Sequence, residues 1–295
     1  MNDLLCVRED LTITSCDSVR FCVHESYLLA ISSNLFGGFL PVVGSRQIQP
    51  RREGLQHNDN ELRNKDEQEQ RLLHLSESGS VLNILLCAAY GKPLVAGQAH
   101  SPYISLSDLS LAVAALKKYG IPMQTATSER SLMFSAFAFH CSNGTASALR
   151  VYAVAASYAP DMHNLAVYAS QFLLSLKLSS VTDEIADEIG AVYLRKLFTL
   201  HLVRTQAFKR LLIHPPQLHR PNPYCNEDGG GALREAWDSV KAYLSWAAAP
   251  DVSNSTIEGA TVAVLEKLTC DECRDLVRVR FLGLKQQWEA VKKTI

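Results

Sequence analysis

Two cysteines separated by two residues, Cys270 and Cys273, are the most suggestive candidates for chemistry in this chain of 295 residues. Such a C-x-x-C pair can ligate a metal ion or form a redox-active disulfide. A structural zinc site needs about four ligands, and Cys225, His214 and His219 could complete one. A redox pair is not expected, because no βαβ pattern surrounds it. The two cysteines also begin an amphipathic segment, where both would face a core. We adopt this packing interpretation, so no metal and no cofactor are predicted.

A basic segment with interleaved phenylalanines, RKLFTLHLVRTQAFKR at 195–210, is the second candidate. Four of its side chains could contact nucleic-acid phosphates: Arg195, Arg204, Lys209 and Arg210. The same segment also fits an amphipathic helix whose basic residues face water. The buried stripe of that helix would comprise Leu197, Leu200, Val203, Ala207 and Leu211. We adopt the helix interpretation and expect no nucleic-acid binding, since the formal net charge of −1 gives no attractive field for polyanions.

Motifs that mark the common active sites are missing from the sequence. It has no G-x-S-x-G elbow, no H-E-x-x-H helix and no P-loop. The glycine run that ends NEDGGG at 226–231 lacks the lysine of a P-loop and follows no strand pattern. The sequence therefore predicts a protein that is not an enzyme and has no small-molecule substrate. An enzyme of unrecognised fold is the alternative.

Hydrophobic periodicity predicts the elements that would position these residues. Apolar and polar residues alternate along 10–23, which indicates a β-hairpin. The spacing then becomes helical, with a helix directly after His24 and a second short helix capped by Ser33 and containing Leu35 and Phe36. The motif LLHL indicates a further short strand. The later part of the chain shows only helical patterns, so the fold class is α+β with the sheet near the N-terminus.

Changes in composition predict the domain organisation. Residues 44–71 are highly charged and almost without apolar residues, so we expect an exposed, disordered insertion. Residues 214–231 contain four prolines and three consecutive glycines, which indicates a linker. The predicted organisation is a first domain over 1–122 that includes the insertion, a helical extension over 123–213, the linker, and a C-terminal helical segment over 232–295 that carries the C-x-x-C pair.

Several stretches of the N-terminal part resemble a BTB/POZ domain. In that family an Asp opens the first strand, a hairpin leads to a His, and a helix runs to a Ser followed by an aromatic residue. The stretch EDLTITSCDSVRFCVHESYLLAISSNLFGGF is similar to this pattern. The matching positions are Asp10, Val23, His24, Leu28, Ser32 or Ser33, and Phe36. The stretches LHLSESGSVLNILLCAAYGKPL and SLSDLSLAVAALKKYGIPM are similar to later helices of the family, and the chain as a whole resembles fungal BTB proteins with a helical extension.

This resemblance implies a BTB/POZ fold, which is a helical cluster flanked by a small β-sheet, followed by a mostly α-helical extension. It also implies a non-enzymatic protein–protein interaction module that forms a homodimer or recruits another protein. The interface would use apolar residues of the first helix and the N-terminus: Leu4, Leu5, Tyr27, Leu28, Ile31 and Phe36. Asp10 and His24 would be structural signature residues. The alternatives are a substrate adaptor for a cullin-type ubiquitin ligase and a zinc-containing nuclear regulator built on Cys225, Cys270 and Cys273.

One position departs from the pattern of the transcription-repressor branch of the family. Those members carry a Lys or Arg directly after the His, where it pairs with the opening Asp. Here the position is Glu25, and two nearby carboxylates would repel each other. We therefore do not expect a co-repressor pocket of that kind.

The sequence shows no sign of secretion or of a membrane span. Its first residues, MNDLLCVRED, lack the basic-then-apolar order of a signal peptide. The longest apolar runs, such as VLNILLCAAY, are about half the length that crosses a bilayer. Eight cysteines in a long chain of this kind do not predict a disulfide framework. We expect an intracellular protein of the cytoplasm, the nucleus or both, with no membrane contact.

Overall fold

The computed structural model describes residues 10–41, 71–92, 104–220, 225 and 231–295. The expected disordered insertion at 44–71 lies outside the described residues except for Arg71, and so do Leu4 and Leu5 of the expected interface. The described residues form a mixed α+β structure that is mostly helical, with a small three-stranded sheet.

The sheet consists of β1 (Leu11–Thr14), β2 (Arg20–Val23) and β3 (Arg71–His74) in the order β2-β1-β3. Strand β2 pairs with β1 in antiparallel register, which confirms the predicted hairpin, and β3 pairs with β1 in parallel register. The central strand is buried along its whole length, with Leu11 and Ile13 completely inaccessible. The alternation of apolar and polar residues along 10–23 therefore identified β1 and β2, whose apolar residues face the core.

The helices of the N-terminal part are α1 (Glu25–Ile31), α2 (Gly79–Tyr90), α3 (Leu106–Lys118), α4 (Met123–Ala126) and α5 (Leu132–Ser142). Serine hydroxyls cap two of them, because Ser78 accepts a hydrogen bond from the Val81 amide and Ser105 accepts one from the Asp108 amide. The helix after His24 is confirmed.

The short second helix predicted at Ser33 is wrong. Leu35, Phe36, Gly37 and Gly38 all have positive φ, between 54° and 80°, whereas a right-handed helix requires negative φ. Tertiary contacts hold this unfavourable backbone in place. The Ser32 hydroxyl accepts a hydrogen bond from the Phe36 amide and donates one to the Tyr119 carbonyl, each 2.7 Å long. The ring of Phe36 stacks on the ring of Tyr119 with 4.4 Å between centroids and is completely buried.

The helices of the C-terminal part are α6 (Thr145–Ser157), α7 (His163–Ser170), α8 (Asp183–Leu211), α9 (Gly231–Trp246), α10 (Asn254–Leu265) and α11 (Asp271–Glu289). Short 3-10 turns lie at Gln171–Leu173 and Leu178–Ser180. Helix α8 is interrupted at Gly190, where φ is 74°.

The chain divides into two compact units, one within residues 1–140 and 160–165 and the other within 141–159 and 166–295. The expected domain boundaries at 122 and at the 214–231 linker therefore differ from those of the structure. One apolar core, here called the C-terminal core, joins helices on both sides of that linker. Its largest members are Phe208 of α8, Trp237 of α9, and Phe281 and Trp288 of α11. A proline- and glycine-rich composition indicated a connection correctly, but not that both of its ends belong to one core.

Two glycines with left-handed backbone allow a matched test of the first unit. Gly91 ends α2 with φ of 62°, and a Cβ atom there would meet nothing within 4 Å. Gly120 follows α3 with φ of 65°, and a Cβ atom there would lie 2.5 Å from Asn34 Oδ1 and 2.8 Å from Ser33 Oγ. We expect Gly91→Ala to lower the free energy of unfolding by about 1 kcal/mol through its backbone alone. Gly120→Ala adds steric overlap and should cost about 1–3 kcal/mol more.

Urea unfolding followed by circular dichroism measures both glycine variants. Equal losses would contradict the close packing of Gly120 against Asn34, since the two variants share the same backbone cost.

Candidate functional site

Four potential metal ligands converge at the N-terminal end of α11. They are His219, Cys225, Cys270 and Cys273, here called the Cys–His cluster, and their ligand atoms all lie within 4.8 Å of one another. Cys270 immediately precedes α11 as its N-cap residue, and Cys273 lies in its first turn. His219 and Cys225 come from the proline- and glycine-rich stretch between α8 and α9. These two residues of the predicted linker therefore lie against the start of α11.

The Nε2 atom of His219 faces two of the sulfur atoms. It lies 3.1 Å from Cys273 Sγ and 3.5 Å from Cys270 Sγ. The sulfur of Cys225 is 3.8 Å from that of Cys273, nearly twice the S–S bond length of about 2.05 Å, so no disulfide joins these two residues.

The other ring nitrogen of His219 faces oxygen atoms. His219 Nδ1 lies 2.6 Å from the Arg220 carbonyl and 3.3 Å from Glu272 Oε2. Because a carbonyl oxygen only accepts hydrogen bonds, Nδ1 carries the proton in this pair. In the neutral ring the lone pair is then on Nε2, which points toward the sulfur atoms.

The cluster lies at the edge of the C-terminal core. Cys270 and Cys273 are buried within that core and Cys225 packs against it. Burial, with hydrogen bonds to Cys225 and Cys270, raises the pKa of the Cys273 thiol to about 12. A divalent cation among these groups would have the opposite effect, because a coordinated thiol loses its proton.

Sequence reasoning named all four members of the Cys–His cluster but did not predict that they meet. The packing interpretation of Cys270 and Cys273 accounts for their burial and leaves the approach of His219 and Cys225 unexplained. His214, the other histidine considered, is not a member of the cluster, and its carbonyl accepts a 2.9 Å hydrogen bond from Arg280 Nε. The signal in the sequence was the spacing H-x5-C before C-x2-C.

The signature residues Asp10 and His24 lie where β2 ends and α1 begins. Asp10 Oδ1 accepts a 2.7 Å hydrogen bond from the Glu25 amide, and the Tyr90 hydroxyl accepts a 3.0 Å hydrogen bond from the His24 amide. These long-range partners satisfy amides that the first turn of a helix leaves without an intrahelical acceptor. The ring of His24 is partly buried, 6.2 Å from the ring of Tyr90. We call Asp10, His24, Glu25 and Tyr90 together the α1 joint.

The charge of Glu25 has a partner that the sequence did not reveal. Glu25 Oε1 lies 2.8 Å from Arg71 Nη1, and Arg71 also donates a hydrogen bond to the Phe39 carbonyl. Repulsion from Asp10, which the sequence suggested, is therefore offset by a neighbouring cation. Arg71 was assigned to the insertion, whereas it begins β3.

The expected interface residues have two different environments. Tyr27 is 38% exposed and Ile31 is partly exposed. Leu28 and Phe36 are completely buried, so their assignment to an interface is wrong. Leu28 is the residue of α1 that faces the core, and Phe36 is covered by Tyr119. Helical spacing identifies an apolar stripe but does not tell which surface covers it.

Arg204, one of the four possible phosphate contacts, is a buried structural residue. Its Nε donates to the Pro250 carbonyl at 2.7 Å, and its Nη1 donates to the carbonyls of Val291 and Lys292 at 2.7 and 2.8 Å. Its guanidinium lies 4.3 Å from the centre of the Trp288 ring. The predicted stripe of α8 is thus partly wrong, since Arg204 is inside and Val203 is exposed.

None of the family models, curated proteins or solved structures compared with this chain matches it. The functional argument therefore rests on the residues described above. In the part of the chain that the structure describes, no helix has both the length and the apolar character needed to cross a membrane.

The Arg204 guanidinium donates hydrogen bonds to three carbonyls, so we predict a large loss of stability when it is replaced. We expect Arg204→Lys to lower the free energy of unfolding by about 2–4 kcal/mol, because a single ammonium cannot satisfy all three acceptors. Arg210→Lys, on the exposed side of the same helix, should change it by less than about 0.5 kcal/mol.

All three tryptophans, Trp237, Trp246 and Trp288, belong to the second unit, so fluorescence-monitored urea unfolding reports on it directly. Equal stability of the two arginine variants would show that the Arg204 hydrogen bonds contribute nothing measurable.

Proposed function

We propose that this chain is a non-enzymatic protein-interaction module that self-associates through a BTB/POZ-type N-terminal unit. The observation that carries the proposal is the order of elements around the α1 joint. An antiparallel hairpin leads directly into α1, and β3 then pairs in parallel with the first strand of that hairpin. This arrangement agrees with the fold that the resemblance implies, and Asp10 and His24 stand where the family pattern has its Asp and His.

The exposed part of α1 supports an interaction role. The Tyr27 hydroxyl donates a 2.9 Å hydrogen bond to the Ala89 carbonyl, and its ring stacks on the ring of Tyr90 with 4.4 Å between centroids. An aromatic side chain that is held in place on the surface loses little conformational entropy when a partner covers it. Tyrosines of this kind contribute strongly to protein interfaces. Tyr27 also lines a groove with Tyr90 and Met133, into which a second copy of the chain could insert.

Groups with shifted pKa values are where an active site is normally sought. Burial raises the pKa of Tyr119, whose hydroxyl donates to Glu77, and the pKa of Tyr152, whose hydroxyl donates to the Tyr193 carbonyl. Burial lowers the pKa of His201, whose Nε2 lies 2.9 Å from the Leu173 carbonyl. Each of these groups is engaged in a structural hydrogen bond, which supports an interaction role over catalysis.

Self-association is tested by sedimentation velocity over a range from low to high micromolar protein. We expect a reversible dimer. Tyr27→Glu should raise the dimer dissociation constant at least about tenfold, because it places a charge in an apolar contact. Tyr27→Phe, which keeps the ring and removes the hydroxyl, should remain close to the unaltered protein.

The matched control is Phe198→Glu in the second unit, since Phe198 is 41% exposed, much like Tyr27. A monomer at every concentration would refute the proposed self-association. A dimer weakened equally by Phe198→Glu and Tyr27→Glu would refute the proposed role of α1.

A further inference from the structure

We propose that His219, Cys225, Cys270 and Cys273 bind one structural Zn²⁺ ion that fastens the 214–231 stretch to the start of α11. This inference goes beyond the proposed interaction role, since it concerns only the second unit and does not depend on how the first unit associates.

The distances within the Cys–His cluster suit a tetrahedral ion. With Zn–S bonds of about 2.3 Å and a Zn–N bond of about 2.0 Å, tetrahedral angles place two sulfurs about 3.8 Å apart and a sulfur and nitrogen about 3.5 Å apart. The Cys225 and Cys273 sulfurs are 3.8 Å apart, and His219 Nε2 lies 3.5 and 3.1 Å from the sulfurs of Cys270 and Cys273. The remaining pairs lie within 4.8 Å, so small side-chain rotations would complete the tetrahedron.

The ligand set identifies the class of metal. Three thiolates and one imidazole are soft and borderline donors, which favour Zn²⁺ over the hard cations Ca²⁺ and Mg²⁺. Four protein ligands fill a tetrahedral coordination sphere and leave no position for water or substrate. The site is therefore structural rather than catalytic.

The surroundings of His219 orient its ring for metal binding. The Arg220 carbonyl and Glu272 hold the Nδ1 proton on the side of the ring away from the sulfurs. Metal-binding histidines commonly donate their second ring N–H to a carbonyl or carboxylate in this way, which fixes both the ring orientation and the tautomer.

The position of the two cysteines on α11 also favours thiolates. Cys270 is the N-cap residue and Cys273 lies in the first turn of a 19-residue helix. The positive end of the helix dipole stabilises negative charge at this end. Zn²⁺ with three thiolates carries a net charge of −1, which this helix end is suited to hold.

A disulfide is the competing use of these cysteines. It would form by oxidation of two thiols with loss of two electrons and two protons, and it would use two sulfurs and leave His219 without a role. Zinc binding uses all four side chains. The two chemistries are distinguished by metal content, by mass and by the response to reductant.

The test uses the full chain, purified under reducing conditions from zinc-supplemented medium and measured by elemental analysis and native mass spectrometry. We expect one zinc ion per chain. His219→Ala and Cys225→Ser should each lower the zinc content severalfold, and both alter partly exposed residues whose replacement is less disruptive than that of buried Cys273. His214→Ala is the matched control, since His214 lies in the same stretch but outside the cluster, and it should retain full zinc.

Two further measurements keep the result unambiguous. Cobalt added to the metal-free chain should give the visible bands of tetrahedral thiolate coordination in the unaltered protein and in His214→Ala, but weakened bands in His219→Ala. EDTA should lower the tryptophan-monitored unfolding midpoint of the unaltered protein, and added zinc should restore it. Three results would each overturn the proposal. The chain neither carries zinc nor binds added Zn²⁺, its zinc content is unaffected by His219→Ala, or the cysteines of the Cys–His cluster form a disulfide under reducing conditions.

Discussion

Packing of α8 against α9, α10 and α11 in one apolar core is the constraint on which the second unit depends. The aromatic residues of this core meet edge to face, with 5.0 Å between the ring centroids of Phe208 and Trp288 and 5.6 Å between those of Trp237 and Phe281. Burial of such large rings removes a large apolar area from water and so stabilises the unit. Within the described part of the connection between α8 and α9, His219 and Cys225 lie beside Cys270 and Cys273 at the start of α11.

Two arginines, the buried Arg204 and the partly buried Arg280, connect this core to the polypeptide segments around it. Arg204 binds carbonyls at positions 250, 291 and 292, so it holds the approach to α10 and the end of α11 together. Arg280 of α11 donates to the carbonyls of Leu211 and His214, at the point where α8 ends. The second arginine therefore directs the following stretch toward the Cys–His cluster. Carbonyls near helix ends, which have no intrahelical donor, thus accept hydrogen bonds from the arginines and hold the adjoining loops in place.

In the first unit, Tyr119 occupies a comparable central place. Its ring supports Phe36, its hydroxyl donates to Glu77, and the neighbouring Lys118 pairs with the same carboxylate at 2.6 Å. Burial raises and these hydrogen bonds lower the pKa of Glu77, with a lowered pKa as the result. The end of α3 is thereby tied to the left-handed turn after α1 and to the segment that follows β3. The two units are consequently built differently, one around a small sheet with a polar hub and the other around aromatic packing with a candidate metal centre.

The sequence by itself determined the local elements. Alternation along β1 and β2, the change to helical spacing after His24, and the helical patterns of the later part of the chain were all predictable, because these signals lie within a few residues of one another. Tertiary structure decided the burial of Arg204, the positive φ values at Leu35 and Phe36, the pairing of Glu25 with Arg71, and the convergence of His219 and Cys225 on the C-x-x-C pair. Each of these depends on residues far apart in the chain, from 45 positions between Cys225 and Cys270 to 88 between Arg204 and Lys292. Periodicity reports which face of an element is apolar, whereas only the packed chain establishes what that face meets.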